Sequence, residues 1–173
     1  MPRKHVVRLL QGGDRRMIGR SDEVAVMVSQ APELFPELMV GLWSQDPLVR
    51  TRTADAAEKV TREKPELLQP YKEELLGLMV ETEQQELRWH FAAMVPRLQL
   101  NAKARKLAIS LLMGYLEDRS SIVKTFALQG LADLAHDDQS IRPAVIGILR
   151  QAARTGTAAM KARARKLLVR LER

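Results

Sequence analysis

The chain of 173 residues contains no cysteine. That excludes disulfides, thiolate catalysis and every zinc site built on sulfur, and it fits an intracellular, reducing compartment. Aromatic residues make up only 4% of it, with 2 Trp, 2 Tyr and 3 Phe. The apolar content is therefore carried by Leu, Ala, Val and Met, mostly strong helix formers, which predicts an all-α fold with few or no strands. Long apolar runs are missing as well. The start, MPRKHVVRLLQGGDRR, is basic but its apolar run ends after Leu9-Leu10, too short for a secretory signal, and no stretch approaches the roughly 20 apolar residues of a membrane span. A soluble, cytoplasmic protein without membrane contact is expected.

Metal and catalytic signals are equally sparse. His5, His90 and His136 are the only histidines, and no two of them share a ligand spacing. Gly12-Gly13 lacks the Lys-Ser/Thr of a phosphate-binding loop and reads as a turn. No nucleophile, base and orienting group form a recognisable set, so the expectation is a protein that is not an enzyme and carries no cofactor and no metal.

What the chain has in quantity is patterned charge. The net charge is +7. Residues 1 to 20 hold six bases, Arg3, Lys4, Arg8, Arg15, Arg16 and Arg20, against Asp14, and residues from Arg142 onward hold nine bases against Glu172. Two basic ends thus flank an acidic body.

The chain also has a repeat. VRTRTADAAEKV from Val49, LRWHFAAMVPRL from Leu87, VKTFALQGLADL from Val123 and MKARARKLLVRL from Met160 start 38, 36 and 37 residues apart. Counting each anchor as zero, positions 0, +4, +8 and +11 form one apolar helical face: Val49, Thr53, Ala57 and Val60 in the first copy, Val123, Ala127, Leu131 and Leu134 in the third. Position +5 is apolar except at Arg165, and position +1 is always basic: Arg50, Arg88, Lys124 and Lys161. Companion helices are expected from Pro32, Pro65, Asn101 and Gln139, with Pro32 and Pro65 in first turns and Asn101 and Ser140 as N-caps. The short polar connectors near 44–47, 82–84, 118–120 and 155–157 make each pair an antiparallel hairpin.

Hairpins at a period in the thirties, with turns leading into SQDPLVRTRTADAAEKV and SSIVKTFALQGLADLA, resemble HEAT repeats, the armadillo-type superhelix. The resemblance covers residues 31 to 173 as four repeats, with residues 1 to 30 as an N-terminal cap. It implies one α-solenoid domain, because a single hairpin cannot bury its apolar face and must stack on the next. In the family an Asp six residues before the conserved base ties neighbouring turns. Asp118 before Lys124 matches, whereas Ser44, Thr82 and Thr155 stand at that place in the other copies.

On a superhelix the second helices line the concave face, and positions +3, +6, +10 and +13 should point away from the core. They place Arg52, Lys59, His90, Arg97, Phe126 and His136, beside Trp89, on a partner-binding stripe. The last repeat adds Arg163, Lys166, Arg170 and Arg173 as contacts to phosphate or to an acidic partner. The function expected is a protein-protein interaction scaffold that grips a protein or peptide. The alternative is nucleic-acid binding, since a HEAT-like fold with a basic concave surface occurs in the alkylpurine DNA glycosylases. That family's aromatic and acidic catalytic cluster has no convincing copy here.

Overall fold

Proline placement and capping set where each helix begins. A computed structural model describes residues 5–13 and 19–173. Arg3, Lys4, Asp14, Arg15 and Arg16 of the basic N-terminal segment lie outside them. The described residues form helices joined by short turns, without strands, in the order α1 (His5–Leu9), α2 (Ser21–Gln30), α3 (Phe35–Met39), α4 (Pro47–Glu63), α5 (Lys72–Glu81), α6 (Gln85–Met94), α7 (Ala102–Tyr115), α8 (Ser121–Asp137), α9 (Arg142–Thr155) and α10 (Ala158–Leu171). No described helix is long and apolar enough to cross a membrane.

The repeat register survives in detail. Val49, Thr53, Ala57 and Val60, then Leu87, Phe91, Val95 and Leu98, then Val123, Ala127, Leu131 and Leu134 are all buried. In α10 only Ala164 and Leu171 are fully buried on that face, with Met160 and Leu168 half-buried and Arg165 exposed. The connectors fall where the polar breaks predict them. Asp46, Asn101, Ser120 and Thr157 cap α4, α7, α8 and α10 by accepting backbone N–H bonds.

Two expectations are corrected. Pro32 and Pro65 do sit in first turns, but of 3-10 segments, Pro32–Leu34 and Pro65–Tyr71. Pro36 and Pro70 follow too closely for uninterrupted α-helical hydrogen bonding, so α3 and α5 start later than apolar spacing implies. Ser140 is not an N-cap either. Its N–H and hydroxyl both donate to Asp138 Oδ1, at 2.9 and 2.5 Å, and α9 begins after it at Arg142.

The chain forms two compact units, Met1–Lys72 and Glu73–Arg173. In the first, α2 and α3 pack on α4, and the Val6 N–H donates to Glu37 Oε1 at 2.9 Å. Gly12 and Gly13 have φ of 75° and 84°, the left-handed turn their pairing predicts. In the second, α8 lies between α6 and α10, α7 packs on α8, and α9 packs on α8 and α10.

The +1 bases act as ties in two of the four copies. Arg50 donates to the Ser44 carbonyl at 2.7 Å, and Arg88 donates to the Thr82 carbonyl at 2.8 Å and to Asp118 at 2.6 Å while lying over the Tyr115 ring. Burial alone would raise the pKa of Asp118, but the Ser120 N–H, the Arg88 hydrogen bond and the charges of Arg88 and Arg119 outweigh it and hold the carboxyl below its ordinary value. A group depressed by folding adds stability above its unfolded pKa and loses it as pH falls through the folded one. Wild-type stability should therefore drop on acidification below about pH 4, and the drop should be shallower in Asp118→Asn. Urea unfolding at pH 7 and pH 3 measures it; equal slopes would remove the tie's electrostatic role.

Candidate partner-binding face

The stripe expected from periodicity divides into residues that hold the fold and residues that form a surface. Arg52 is 2% exposed and His90 is 1% exposed. Neither is a partner contact. Arg52 Nη1 donates to the Leu10 carbonyl at 2.9 Å and also to the Gly12 carbonyl, fastening the α1 turn to α4. His90 Nδ1 donates to the Glu86 carbonyl of its own helix, which fixes the proton on that nitrogen. The physical reason is that +3 lies at the seam between successive helices, not opposite the core. At that seam a polar side chain is covered by the neighbouring element and needs internal partners.

Lys59 is also committed. It is half-buried and bonded to Asp22 at 2.5 Å and Asp55 at 2.6 Å, while Ser21 donates to the same Asp55 carboxylate. Burial lowers its pKa, but the two hydrogen-bonded carboxylates outweigh that and raise it. This network joins α2 to α4. Arg97 is half-buried in the 3-10 turn Val95–Arg97, and His136 is exposed in the last turn of α8, where its carbonyl accepts from Arg142 at 2.6 Å.

Phe126 and Trp89 behave differently. Both are half-buried, with ring centroids 5.0 Å apart, and Trp89 also stacks on His90 at 3.4 Å. The Arg163 guanidinium lies 5.6 Å from the Phe126 ring centre and donates to Gln129 Oε1 at 2.8 Å. Gln129 donates in turn to Asp133 Oδ1 at 2.9 Å, and Arg170 donates to that same oxygen at 2.6 Å. Side chains of α6, α8 and α10 thus make a continuous strip of ring, ring, guanidinium, amide, carboxylate and guanidinium.

The four C-terminal bases consequently do not form a free cationic stripe. Arg163 and Arg170 are held by Gln129 and Asp133, whereas Lys166, Arg173 and the neighbouring Arg165 are exposed and make no ion pair among the described residues. Gln129 and Asp133 were legible as surface positions but not as partners of those bases. The 37-residue separation of Asp133 and Arg170 could have suggested it, since it is one repeat length, whereas Gln129 and Arg163, 34 apart, stand about one turn short of it. Among the described residues no group of three or more His, Asp or Glu side chains could hold a metal ion.

No protein-family model matches the chain, and no curated protein matches it. A solved structure of an engineered protein from the Northeast Structural Genomics Consortium is similar, with 20% identity and a TM-score of 0.63 over 96% of this chain and 78% of that one. At that identity the likeness speaks for the all-helical fold alone.

Proposed function

We propose that the chain is a non-catalytic protein-interaction scaffold built as an α-solenoid of HEAT-like hairpins, and that it holds a helical or extended segment of a partner protein on the strip formed by α6, α8 and α10. The observation that carries this reading is the Trp89–Phe126 pair, two large rings in contact with each other and only half-buried, in a chain that has few aromatics to leave outside its core. Rigid aromatic rings contribute apolar contact area at low entropy cost and commonly anchor interfaces. The charged neighbours Arg163, Asp133 and Arg170 supply a polar rim that orients a partner. Support for the HEAT-like assignment comes from the packing of α7 on α8 and α9 on α10, and from Asp118, which stands six residues before Lys124 as in the family and pairs with Arg88 of the preceding copy.

Truncating either ring should weaken partner binding by about thirty-fold, the scale of a hot-spot substitution of about 2 kcal/mol, while cooperative unfolding is retained. Calorimetry with the partner recovered by affinity capture, run on wild type, Trp89→Ala and Phe126→Ala, measures it. Unchanged affinity in both variants sinks the proposal.

Lys166, Arg173 and Arg165 favour a second reading, contact with nucleic-acid phosphates. Such binding would be weakly sequence-selective and would fall by orders of magnitude between about 50 and 200 mM salt if several contacts were made. With Arg163 and Arg170 already engaged by the chain itself, this reading has fewer cations at its disposal.

A further inference from the structure

An open groove of about 480 Å3 lies between the ends of α7 and α9 and the starts of α8 and α10. Met113, Leu116, Leu128, Ile148 and Met160 supply its apolar walls, and Lys124 lines it on the α8 side. Its origin can be read by comparison with the preceding step of the same repeat. There, Arg88 in α6 pairs with Asp118 at 2.6 Å and lies over the ring of Tyr115, whose hydroxyl donates to the Met79 carbonyl at 2.9 Å. One repeat later Lys124 takes the place of Arg88, Ala152 the place of Tyr115 and Thr155 the place of Asp118.

The equivalence is supported by burial. Ala108, Leu112 and Tyr115 on α7 are buried, and so are Val145, Leu149 and Ala152, each 37 residues on. Both the ring and the carboxylate present at the earlier step are therefore missing from the later one, and where the earlier step keeps a polar pocket lined by Arg88, Asp118 and Arg119, the later one opens an apolar-walled groove. Thr155 turns its hydroxyl back to the Gln151 carbonyl at 3.1 Å, and Lys124 makes no ion pair among the described residues. Glu117 lines the same groove, which disfavours a ligand that is anionic throughout.

We propose that this groove docks a partner-protein segment that carries an aromatic residue followed three positions later by a carboxylate. The ring occupies the apolar space left by Ala152 against the two methionines, and the carboxylate pairs with Lys124. The occupant's chemistry is thus copied from the chain's own Tyr115 and Asp118. This surface is separate from the Trp89–Phe126 strip and stands or falls without it.

The probe is the hexapeptide acetyl-Tyr-Leu-Glu-Asp-Arg-Ser-amide, the sequence of residues 115–120, titrated into the full chain with 13C-methyl methionine and followed by NMR. Saturable shifts of the Met113 and Met160 methyls are expected. Replacing the peptide's Asp by Asn, or Lys124 by Gln in the protein, should weaken binding about five-fold, the scale of one partly exposed ion pair. Ala152→Tyr with Thr155→Asp should fill the groove from within and abolish the shifts. If that double variant fails to fold, Lys124→Gln still decides the matter. Absent shifts, or equal affinity for the Asp and Asn peptides, overturn the proposal.

Discussion

Arg52→Ala is expected to destabilise the unit Met1–Lys72 by about 3 kcal/mol, because it removes a buried charged donor and leaves a large void. Arg52 is among the largest fully buried side chains, and its Nη1 serves the carbonyls of both Leu10 and Gly12. Those carbonyls lie in and beside the left-handed turn at Gly12 and Gly13 that follows α1, so the loss should appear first as faster hydrogen exchange in α1 and the N-terminal half of α4. Arg52→Lys should recover only part of the stability, since an ammonium lacks the guanidinium's planar fork. Exchange rates and urea midpoints matching wild type in Arg52→Ala would return this residue to the surface role that its position in the repeat suggests.

A second substitution tests how α8 approaches α6. At Gly130 an added Cβ would lie 2.7 Å from the Ala92 carbonyl oxygen and 3.2 Å from both methyls of Leu112. The leucine can yield; the backbone carbonyl of a packed helix cannot. Gly130→Ala gains about 1 kcal/mol of helix propensity in α8 but must push two helices apart, and overpacking of that kind costs about 1–3 kcal/mol. A net loss of up to about 2 kcal/mol is expected from urea unfolding of the Glu73–Arg173 unit, with α6 amides losing protection. A gain in stability would mean that the helices are not in close contact there.

The helices and their buried faces were legible in the sequence because each copy repeats one apolar spacing, and that spacing states directly which side chains leave water. The first three copies bury all four face positions. Arg165 was legible too, as the one break in an apolar column, and it is exposed at the last helix. Helix starts were less so. Pro36 and Pro70 each sit within a few residues of an earlier proline, and the resulting 3-10 segments depend on where missing N–H groups fall along a turn rather than on hydropathy.

The candidate surface was only half legible. Periodicity treats a helix as alone, with a core side and a solvent side, yet α8 has neighbours on both flanks. At +3 the outcome depends on which neighbour arrives. Arg52 and His90 are covered, whereas Phe126 meets Trp89 and Arg163 and remains half open. The same limit hid the commitment of Lys59 to Asp22 and of Arg170 to Asp133, because an ion pair across separate helices leaves no local pattern.

Placing a photo-crosslinking amino acid at Lys166, one turn beyond Arg163 on α10, and separately at the exposed Lys106 on α7 interrogates the proposed binding strip in the native host. A nuclease-resistant protein adduct of discrete mass from position 166, lost in the Trp89→Ala background and absent from position 106, is the expected result. An adduct that disappears with nuclease would contradict the scaffold reading and move the site to the exposed bases of α10, while equal adducts from both positions would show that the strip is not a binding face.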